Sequence, residues 1–470
     1  MSRSVFARTR DRIPSPSALG RALAEATATL LAALATMLCA LAIAPGAGAA
    51  TLAVVLCISL SRSQLDRDLR GRLEAAVVLP VVGIAALGVG LLLRHLPWVG
   101  AAVFVAGMFV SIWLRRFGPM ARRAGSLIAL PFVVLLTVPH LGPAAASGVL
   151  PVWLVPIVVA LLALFWVTVF HLLVRWLRIR PPVDTEDAPA AEPAAPDKPG
   201  LAASTRMAIQ MGVALTVAFV VGFLFFHERW GWIVLTAFIV NSGNRGRLDV
   251  VYKSGMRVLG AAAGTAIALG LGQHVGIDHR SSAILILAAL FLGVWLRPFG
   301  YAWWALFVTV ALALLQGFGD SEPVGLLWLR MEEIVLGAII GIAAAWFVLP
   351  VRSTDVLRRR LADALAALSD ALDPATEQRS ATRFNTALDR VEEVAPPFRA
   401  ARLLLRRRTL HPADWADTLL DCGEPARALI DQGATPGRIR QAVGAARRSL
   451  REPETLLPSL LALRSNLRGD

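Results

Sequence analysis

The feature that most constrains this chain is a series of long apolar segments separated by short loops rich in arginine. A helix needs about 20 apolar residues to cross a bilayer, because each residue adds only about 1.5 Å along the axis. Twelve segments fit this description, although the second of each set of six is short. The pattern predicts an all-α polytopic membrane protein with about 12 transmembrane helices. The segments lie near residues 21–44, 47–60, 75–93, 98–114, 125–141, 150–176, 206–226, 230–241, 254–272, 281–297, 301–318 and 328–350.

Charge and composition agree with a membrane protein and argue against a nucleic-acid-binding one. Only 17% of the residues are charged, whereas a soluble domain has about 25%. The formal net charge is +14, but beyond residue 351 the 20 arginines are nearly balanced by 16 acidic residues. The excess positive charge therefore lies in the loops of the apolar part, as is typical of the cytoplasmic side of a membrane protein. No contiguous basic face that would suit nucleic acid emerges.

Two landmarks relate the first six segments to the second six. The motif WLRRFG at 113–118 matches WLRPFG at 295–300, an offset of 182 residues. The dipeptide Leu-Asp at 65–66 matches the one at 248–249, an offset of 183. Each set has an even number of segments, so both sets enter the membrane from the same side. The sequence therefore predicts two parallel six-helix repeats related by an axis along the membrane normal.

Polar segments give the remaining boundaries and the orientation. Residues 181–204 are rich in proline, alanine and acidic residues, and they predict a disordered cytoplasmic linker between a first repeat at 1–180 and a second at 205–351. In 352–470 leucines recur at helical spacing among arginines, which predicts a small helical cytoplasmic domain. With a cytoplasmic N-terminus, only four of the 27 lysines and arginines before residue 352 lie outside. Both termini are therefore predicted to be cytoplasmic.

One stretch of the second repeat, residues 230–264, carries most of the candidate site. Its apolar segment extends only about 16 Å, roughly half the hydrocarbon thickness, and short segments at matching positions of two repeats point to a transport site. Asn241 ends this segment, where a buried amide must find a polar partner. Lys253 and Arg257 share one helical face and would attract a carboxylate. The ordinary alternative is that both anchor the helix by snorkelling to lipid headgroups.

The last segment opens, at the outer side, with the charged residues Arg330, Glu332 and Glu333. Arg330 and Glu333 are three residues apart and can form a purely structural ion pair. Acidic residues inside a membrane are costly and often mark proton paths, so Glu333 is the first candidate for proton coupling, with Glu332 beside it. Trp232 either stacks on an aromatic substrate or belongs to the aromatic belt at the membrane surface.

These residues resemble the signature of a known family. The motif WIVLT at 232–236 is followed by a glycine-bearing turn and by RVLG at 257–260, and RMEE at 330–333 precedes spaced glycines and a proline. The pattern is similar to that of the fusaric acid resistance (FUSC) family, which includes exporters of aromatic carboxylic acids. The resemblance covers about residues 205–350. It implies a transporter, adds Thr236 to the substrate-binding candidates and implies a periplasmic adaptor as a partner.

Together these observations predict an inner-membrane efflux transporter for small anionic aromatic compounds, coupled to protons because the sequence has no nucleotide-binding motif. The alternatives are a passive organic-anion channel, a carrier of the major-facilitator type, and a non-transporting scaffold that acts through its helical cytoplasmic domain. Without a catalytic motif or a metal-ligand spacing, no enzyme activity, metal or cofactor is expected. The expected partners are the lipid bilayer, the substrate, the adaptor and further copies of the chain, but not nucleic acid.

Overall fold

The described residues form two compact units. The membrane unit comprises the described residues of Met1–Ser242 and Lys253–Ala344, and the C-terminal unit comprises those of Gly243–Tyr252 and Ala345–Asp470. The short segment Gly243–Tyr252 is thus grouped with the end of the chain, which the sequence did not predict. The computed structural model describes residues 16–63, 69–118, some positions of 121–136, 150–177 apart from 152, 202–226, 229–274, 279–317, 323–373, 381–404, 411–433 and 437–469.

Apolar α-helices build the membrane unit, and their bounds follow the predicted segments closely. Most of the fifth predicted segment, 125–141, and most of the linker at 181–204 lie outside the described residues. The helices are α1 Pro16–Ile43, α2 Ala47–Ser63, α3 Leu69–His95, α4 Pro97–Trp113, α5 Val155–Trp176, α6 Ala203–Phe225, α7 Trp230–Asn241, α8 Arg247–His274, α9 His279–Leu296, α10 Tyr301–Gly317 and α11 Pro323–Phe347.

Five described helices are long and apolar enough to cross a bilayer, namely α1, α3, α4, α5 and α6. Shorter apolar helices occur in α2, α7, α9 and α10. The described residues therefore form an all-α protein with several membrane-spanning helices, as the sequence predicts. The total of about 12 spans stays a prediction.

The short helix α7 is buried because its neighbours carry glycine where they touch it. A Cβ atom at Gly222 of α6 would lie 2.6 Å from the Cβ of Trp230, and one at Gly337 of α11 would lie 2.6 Å from the carbonyl oxygen of Ile233. Gly341, one turn later, is equally close to the last turn of α7. Small residues let helix backbones approach closely, which is a main source of packing energy between helices in lipid. The Gly-x-x-x-Gly spacing of α11 thus fixes α7 against α11.

The second Gly-x-x-x-Gly spacing joins α8 to α10 in the same way. A Cβ at Gly260 would lie 2.7 Å from the Cβ of Ala305, and one at Gly264 would lie 2.9 Å from the Cβ of Thr309. Both spacings therefore mark close helix packing.

The first and second sets of helices meet through reciprocal contacts. Helix α1 packs on α9 and α4 packs on α6, so the first helix of each set touches the fourth of the other. Gly212 of α6 faces Val105 of α4. The offset of 182 residues relates this pair to Leu30 and Leu287, which line one small apolar cavity between α1, α2 and α9. A twofold pseudosymmetry axis would produce this reciprocity, which favours the predicted repeat; the repeat itself stays a prediction.

The C-terminal unit is an assembly of amphipathic helices around one apolar core. The leucines that recur in the sequence at helical spacing, including Leu357, Leu361 and Leu365, are fully buried there. They pack against Phe384 and Trp415 from later helices. The helices are α12 Ser353–Ala371, α13 Thr382–Val394, α14 Pro396–Leu404, α15 Pro412–Leu420, α16 Gly423–Asp431, α17 Gly437–Ser449 and α18 Pro453–Arg468.

Candidate substrate-binding site

Helix α7 directs three of the predicted site residues into the interior of the membrane unit. Trp232, Thr236 and Asn241 are all buried. A Cβ at Gly337 would lie 2.8 Å from the Cβ of Thr236, and one at Gly341 would lie 2.8 Å from the Nδ2 of Asn241, so both side chains face α11. Trp232 is only 7% exposed. A residue of the aromatic belt lies at the membrane surface, so the burial of Trp232 does not fit that interpretation.

Arg330 of α11 stacks on this tryptophan. Its guanidinium carbon Cζ lies 4.0 Å from the centre of the Trp232 ring, a cation–π geometry that is strongest where water is excluded. Arg330 is 2% exposed. The sequence predicts Arg330 at the outer start of the last span, but α11 already begins at Pro323. Arg330 therefore lies almost two turns inside the helix, with its charge in the interior.

A second buried arginine, Arg257, is carried by α8. It is 1% exposed, so snorkelling to headgroups does not describe it. Arg257 and Arg330 lie close enough for their charges to repel each other. Two like charges in a low-dielectric interior are unfavourable unless anions accompany them. The two arginines therefore favour an anionic group beside them.

Glu333 supplies one negative charge beside the arginines. It is 1% exposed, and its charge is attracted by that of Arg330, one turn earlier. Its Oε1 also lies 3.9 Å from the Nε of Arg229, the residue just before α7. Glu332, in contrast, is exposed. Glu333 therefore lies beside Arg229, and its predicted ion pair with Arg330 stays a prediction. We call Trp232, Arg257, Arg330 and Glu333 the buried cluster.

Lys253 has a different environment from Arg257, although both are on α8. Its Nζ donates a hydrogen bond of 3.3 Å to the carbonyl oxygen of Ser242, just after the end of α7. Helix C-termini attract cations because their last carbonyl groups carry partial negative charge. Lys253 thus fastens the end of α7 to α8, and its predicted role in binding substrate stays a prediction.

Several buried polar atoms on α7 and α8 have no hydrogen-bond partner among the residues that the structure describes. They are the Thr236 Oγ1, the Asn241 Oδ1, the Ser254 Oγ and the Arg257 Nε. Leaving such atoms unpaired is costly, and each calls for an explanation. A polar ligand would pair with them, and a carboxylate suits the guanidinium group of Arg257. Among the described residues, no group of three or more histidine, cysteine or acidic side chains could hold a metal ion.

A polar network that the sequence did not predict joins α1, α2 and α5. The Thr29 hydroxyl donates to the carbonyl oxygen of Glu25 at 2.8 Å, so the Ser61 hydroxyl must donate in the 2.7 Å contact between Thr29 and Ser61. Ser61 then accepts from the Nε2 of His171 at 3.2 Å. Such interhelical bonds hold helices together in lipid. The sequence signal was weak, because these are single polar residues in apolar segments.

Comparison with known proteins locates a family match on the same helices. Residues 216–344 match the family described as fusaric acid resistance protein-like. This span contains α7, α8 and the charged part of α11, and therefore the whole buried cluster. The match confirms the family resemblance predicted from the sequence and, with the apolar helices, indicates a membrane transporter. No curated protein matches the chain.

Proposed function

We propose that this fusaric acid resistance protein-like membrane protein exports small aromatic anions, such as aromatic carboxylic acids, from the cytoplasm across the inner membrane. The observation that carries the proposal is the buried cluster. It combines two arginines, one glutamate and one indole ring in a region with little solvent exposure. Its side chains carry two positive charges and one negative charge, and a substrate carboxylate would pair with the arginines.

In this proposal the carboxylate of the substrate binds between Arg257 and Arg330. A guanidinium group presents parallel N–H donors that match the two oxygens of a carboxylate. Stacking on Trp232 holds the plane of Arg330 in place, so less side-chain entropy is lost when the anion binds. The aromatic ring of the substrate then packs against the apolar surface of α7, where Thr236 and Asn241 offer polar contacts.

The membrane potential favours export of an anion. Moving one charge through 100 mV is worth about 2.3 kcal/mol, and the inside-negative potential drives an anion outward. The proposal places the N- and C-termini in the cytoplasm, as the positive loops predict.

Glu333 is the proposed proton carrier. When ionised, it attracts Arg229, which lies 3.9 Å away at the predicted outer end of α7. Protonation from outside removes this attraction and lets the outer end open, so that a proton enters as the substrate leaves. Return of the proton to the cytoplasm restores the ionised glutamate and the closed outer end.

The test uses purified full-length protein in liposomes loaded with labelled benzoate derivatives. A proton gradient that is more acidic outside the liposomes than inside should accelerate release several-fold over protein-free liposomes. Failure to move any member of the panel, in either direction, would overturn the proposal. Electrical recording separates a carrier from a channel, because a channel gives a voltage-driven anion current that ignores the proton gradient.

A further inference from the structure

The loop between α7 and α8 is held by residues from the far end of the chain. Gly243–Tyr252 belongs to the C-terminal unit, and Leu248 packs against the apolar core of that unit. The guanidinium group of Arg247 lies 5.0 Å from the centre of the Trp346 ring. The start of α8, the helix that carries Arg257, is therefore held by contacts within the C-terminal unit.

Helix α8 has no N-cap side chain of its own. The first N–H groups of a helix lack partners within the helix, and a Ser, Thr, Asp or Asn before it usually accepts from one of them. Here that position is Gly246. The N–H of Arg247 donates to the carbonyl oxygen of Val351 at 3.2 Å, and the N–H of Leu248 donates to the Ser353 Oγ at 2.9 Å. Ser353 therefore caps a helix that begins more than one hundred residues earlier in the chain.

Glycine is required at position 246 for two reasons. Its φ of +122° lies in the region that favours glycine. A Cβ there would also lie 2.6 Å from the Ser353 Oγ. The hydroxyl of Ser353 thus occupies the space that a local capping side chain would take.

Asp249 completes the cap. Its Oδ2 accepts from the N–H of Arg245, the residue before the N-cap, at 3.0 Å, which fastens the loop to the first turn of α8. The bonds at the start of α8 therefore come from different parts of the chain: one from Asp249 of α8 itself, and two from Val351 and Ser353.

A second contact fastens the same loop to α13. The Arg245 NH2 group lies 2.7 Å from the Glu393 Oε2, and its NH1 group donates to the Glu393 carbonyl oxygen at 2.8 Å. The two side chains are 44% and 57% exposed, so this ion pair adds little to the stability of the fold. Its main effect is to orient the loop relative to α13.

We propose that Ser353 is a positioning residue for transport: by capping α8 from the segment that follows α11, it keeps the two helices in register and so holds Arg257 of α8 opposite Arg330 of α11. This inference rests on the proposed function, because it assumes that both arginines bind the substrate. Ser353 and Glu393 act here on the first turn of α8 and the loop before it, which belong to the same unit as these two residues.

The test compares Ser353→Ala with Ser449→Ala in the full-length protein. Both serines are 8% exposed, but the Ser449 hydroxyl bonds only to the carbonyl of Ala446 in its own helix. In hydrogen exchange, Ser353→Ala should accelerate exchange of amides 247–250 and leave α7 unchanged. Ser449→Ala should leave both unchanged.

Transport of labelled benzoate then tests whether the cap positions the substrate-binding arginines. Ser353→Ala should raise KM by up to about fivefold, the factor in an equilibrium constant that loss of one N-cap produces, with little change in the maximal rate. Ser353→Thr, which retains the hydroxyl, should restore the KM.

Unchanged amide exchange in Ser353→Ala would overturn the cap. Faster exchange with an unchanged KM would reduce the cap to a purely structural role and would overturn the proposal. If the wild-type protein moves no aromatic acid, the proposed function fails and the transport role of Ser353 fails with it. Amide exchange still decides separately whether the cap forms.

Discussion

Two arginines and one glutamate are almost fully buried in the membrane unit, and their charges are the strongest functional signal in the structure. Arg257, Arg330 and Glu333 are each 2% exposed or less. Ionisable residues at such positions are costly and are retained where they bind or move charge. The cluster places two buried cations beside one buried carboxylate, an arrangement that suits a bound anion.

The two neighbouring arginines, Arg257 and Arg330, predict opposite effects of one substitution on transport and on stability. Arg257→Met should lower transport efficiency about 30-fold or more, since a charged hydrogen bond contributes about 2 kcal/mol or more. Its apparent melting temperature should be unchanged or higher, because an apolar side chain of similar size relieves the repulsion with Arg330. Arg116→Met, at an exposed position, serves as the control for transport and melting. A destabilised Arg257→Met protein with normal transport would contradict the assignment.

Glu333 and Glu332 offer a matched pair for testing proton coupling. Glu333→Gln imitates the permanently protonated carboxyl group, so transport should lose its response to a proton gradient while exchange of labelled for unlabelled benzoate persists. Glu332→Gln changes an exposed neighbour and should leave gradient-driven transport within about twofold of wild type. The measurement is the ratio of release with and without the gradient in liposomes. An unchanged ratio in Glu333→Gln would remove Glu333 from the mechanism.

At the scale of elements, the short helix α7 organises the site. It has only 12 residues, and nine of them are buried. Its burial depends on glycines in α6 and α11 that let the helices approach. Because α7 carries Trp232 and touches α11 along its length, the spacing of these helices sets the geometry of the buried cluster.

The contact between α7 and α11 predicts a strong effect of one added methyl group. Gly337→Ala would place a Cβ 2.6 Å from the Ile233 carbonyl oxygen, a rigid backbone atom, so the helices must separate. Overpacking of this kind typically costs about 1–3 kcal/mol, which should lower the apparent melting temperature and reduce transport. Gly270→Ala is the control, because a Cβ there meets no atom within 4 Å, and alanine favours the helix. Equal melting temperatures for the two variants would show that α7 and α11 do not pack as described.

At the scale of the whole molecule, the reciprocal contacts of the two sets of helices are the main feature. The motifs WLRRFG and WLRPFG, which revealed the offset in the sequence, both end a helix in a short 3-10 turn, at Leu114–Phe117 and Arg297–Phe299. The same offset relates the contact of Val105 with Gly212 to the cavity shared by Leu30 and Leu287. The 3-10 turns and the contacts between helices thus recur at the same offset of 182 residues. This recurrence favours the predicted parallel repeat.

Cross-linking tests this pseudosymmetry directly. The double variants Val105→Cys/Gly212→Cys and Leu30→Cys/Leu287→Cys, made without the three native cysteines, should both form cross-links with a short bifunctional reagent. The control is Val103→Cys/Gly212→Cys, because Val103 lies two residues from Val105 and is 41% exposed. A cross-link in only one of the two test pairs would argue against reciprocal packing. The readout is mobility on a denaturing gel after cleavage in the linker at 181–204.

By itself the sequence determined the class of the protein and most of its helices. Apolar segments of spanning length permit only helices whose backbone groups are satisfied internally, so the bounds of α7 and the leucine face of α12 could be predicted from pattern alone. It also identified Arg257, Arg330 and Glu333 as candidates, because charge is rare in apolar segments. The assignments to substrate and to proton coupling stay predictions.

Only the tertiary structure decided which of these residues lie together and what holds them. Arg330 is stacked on Trp232, Arg229 lies beside Glu333, and Ser353 caps α8 across a separation of more than one hundred residues. Periodicity reports which face of a helix is apolar, but it carries no information on which other helix covers that face. Contacts between distant segments follow from packing and from hydrogen bonds that only the folded chain can form, and for this reason the cap on α8 could not be predicted from the sequence.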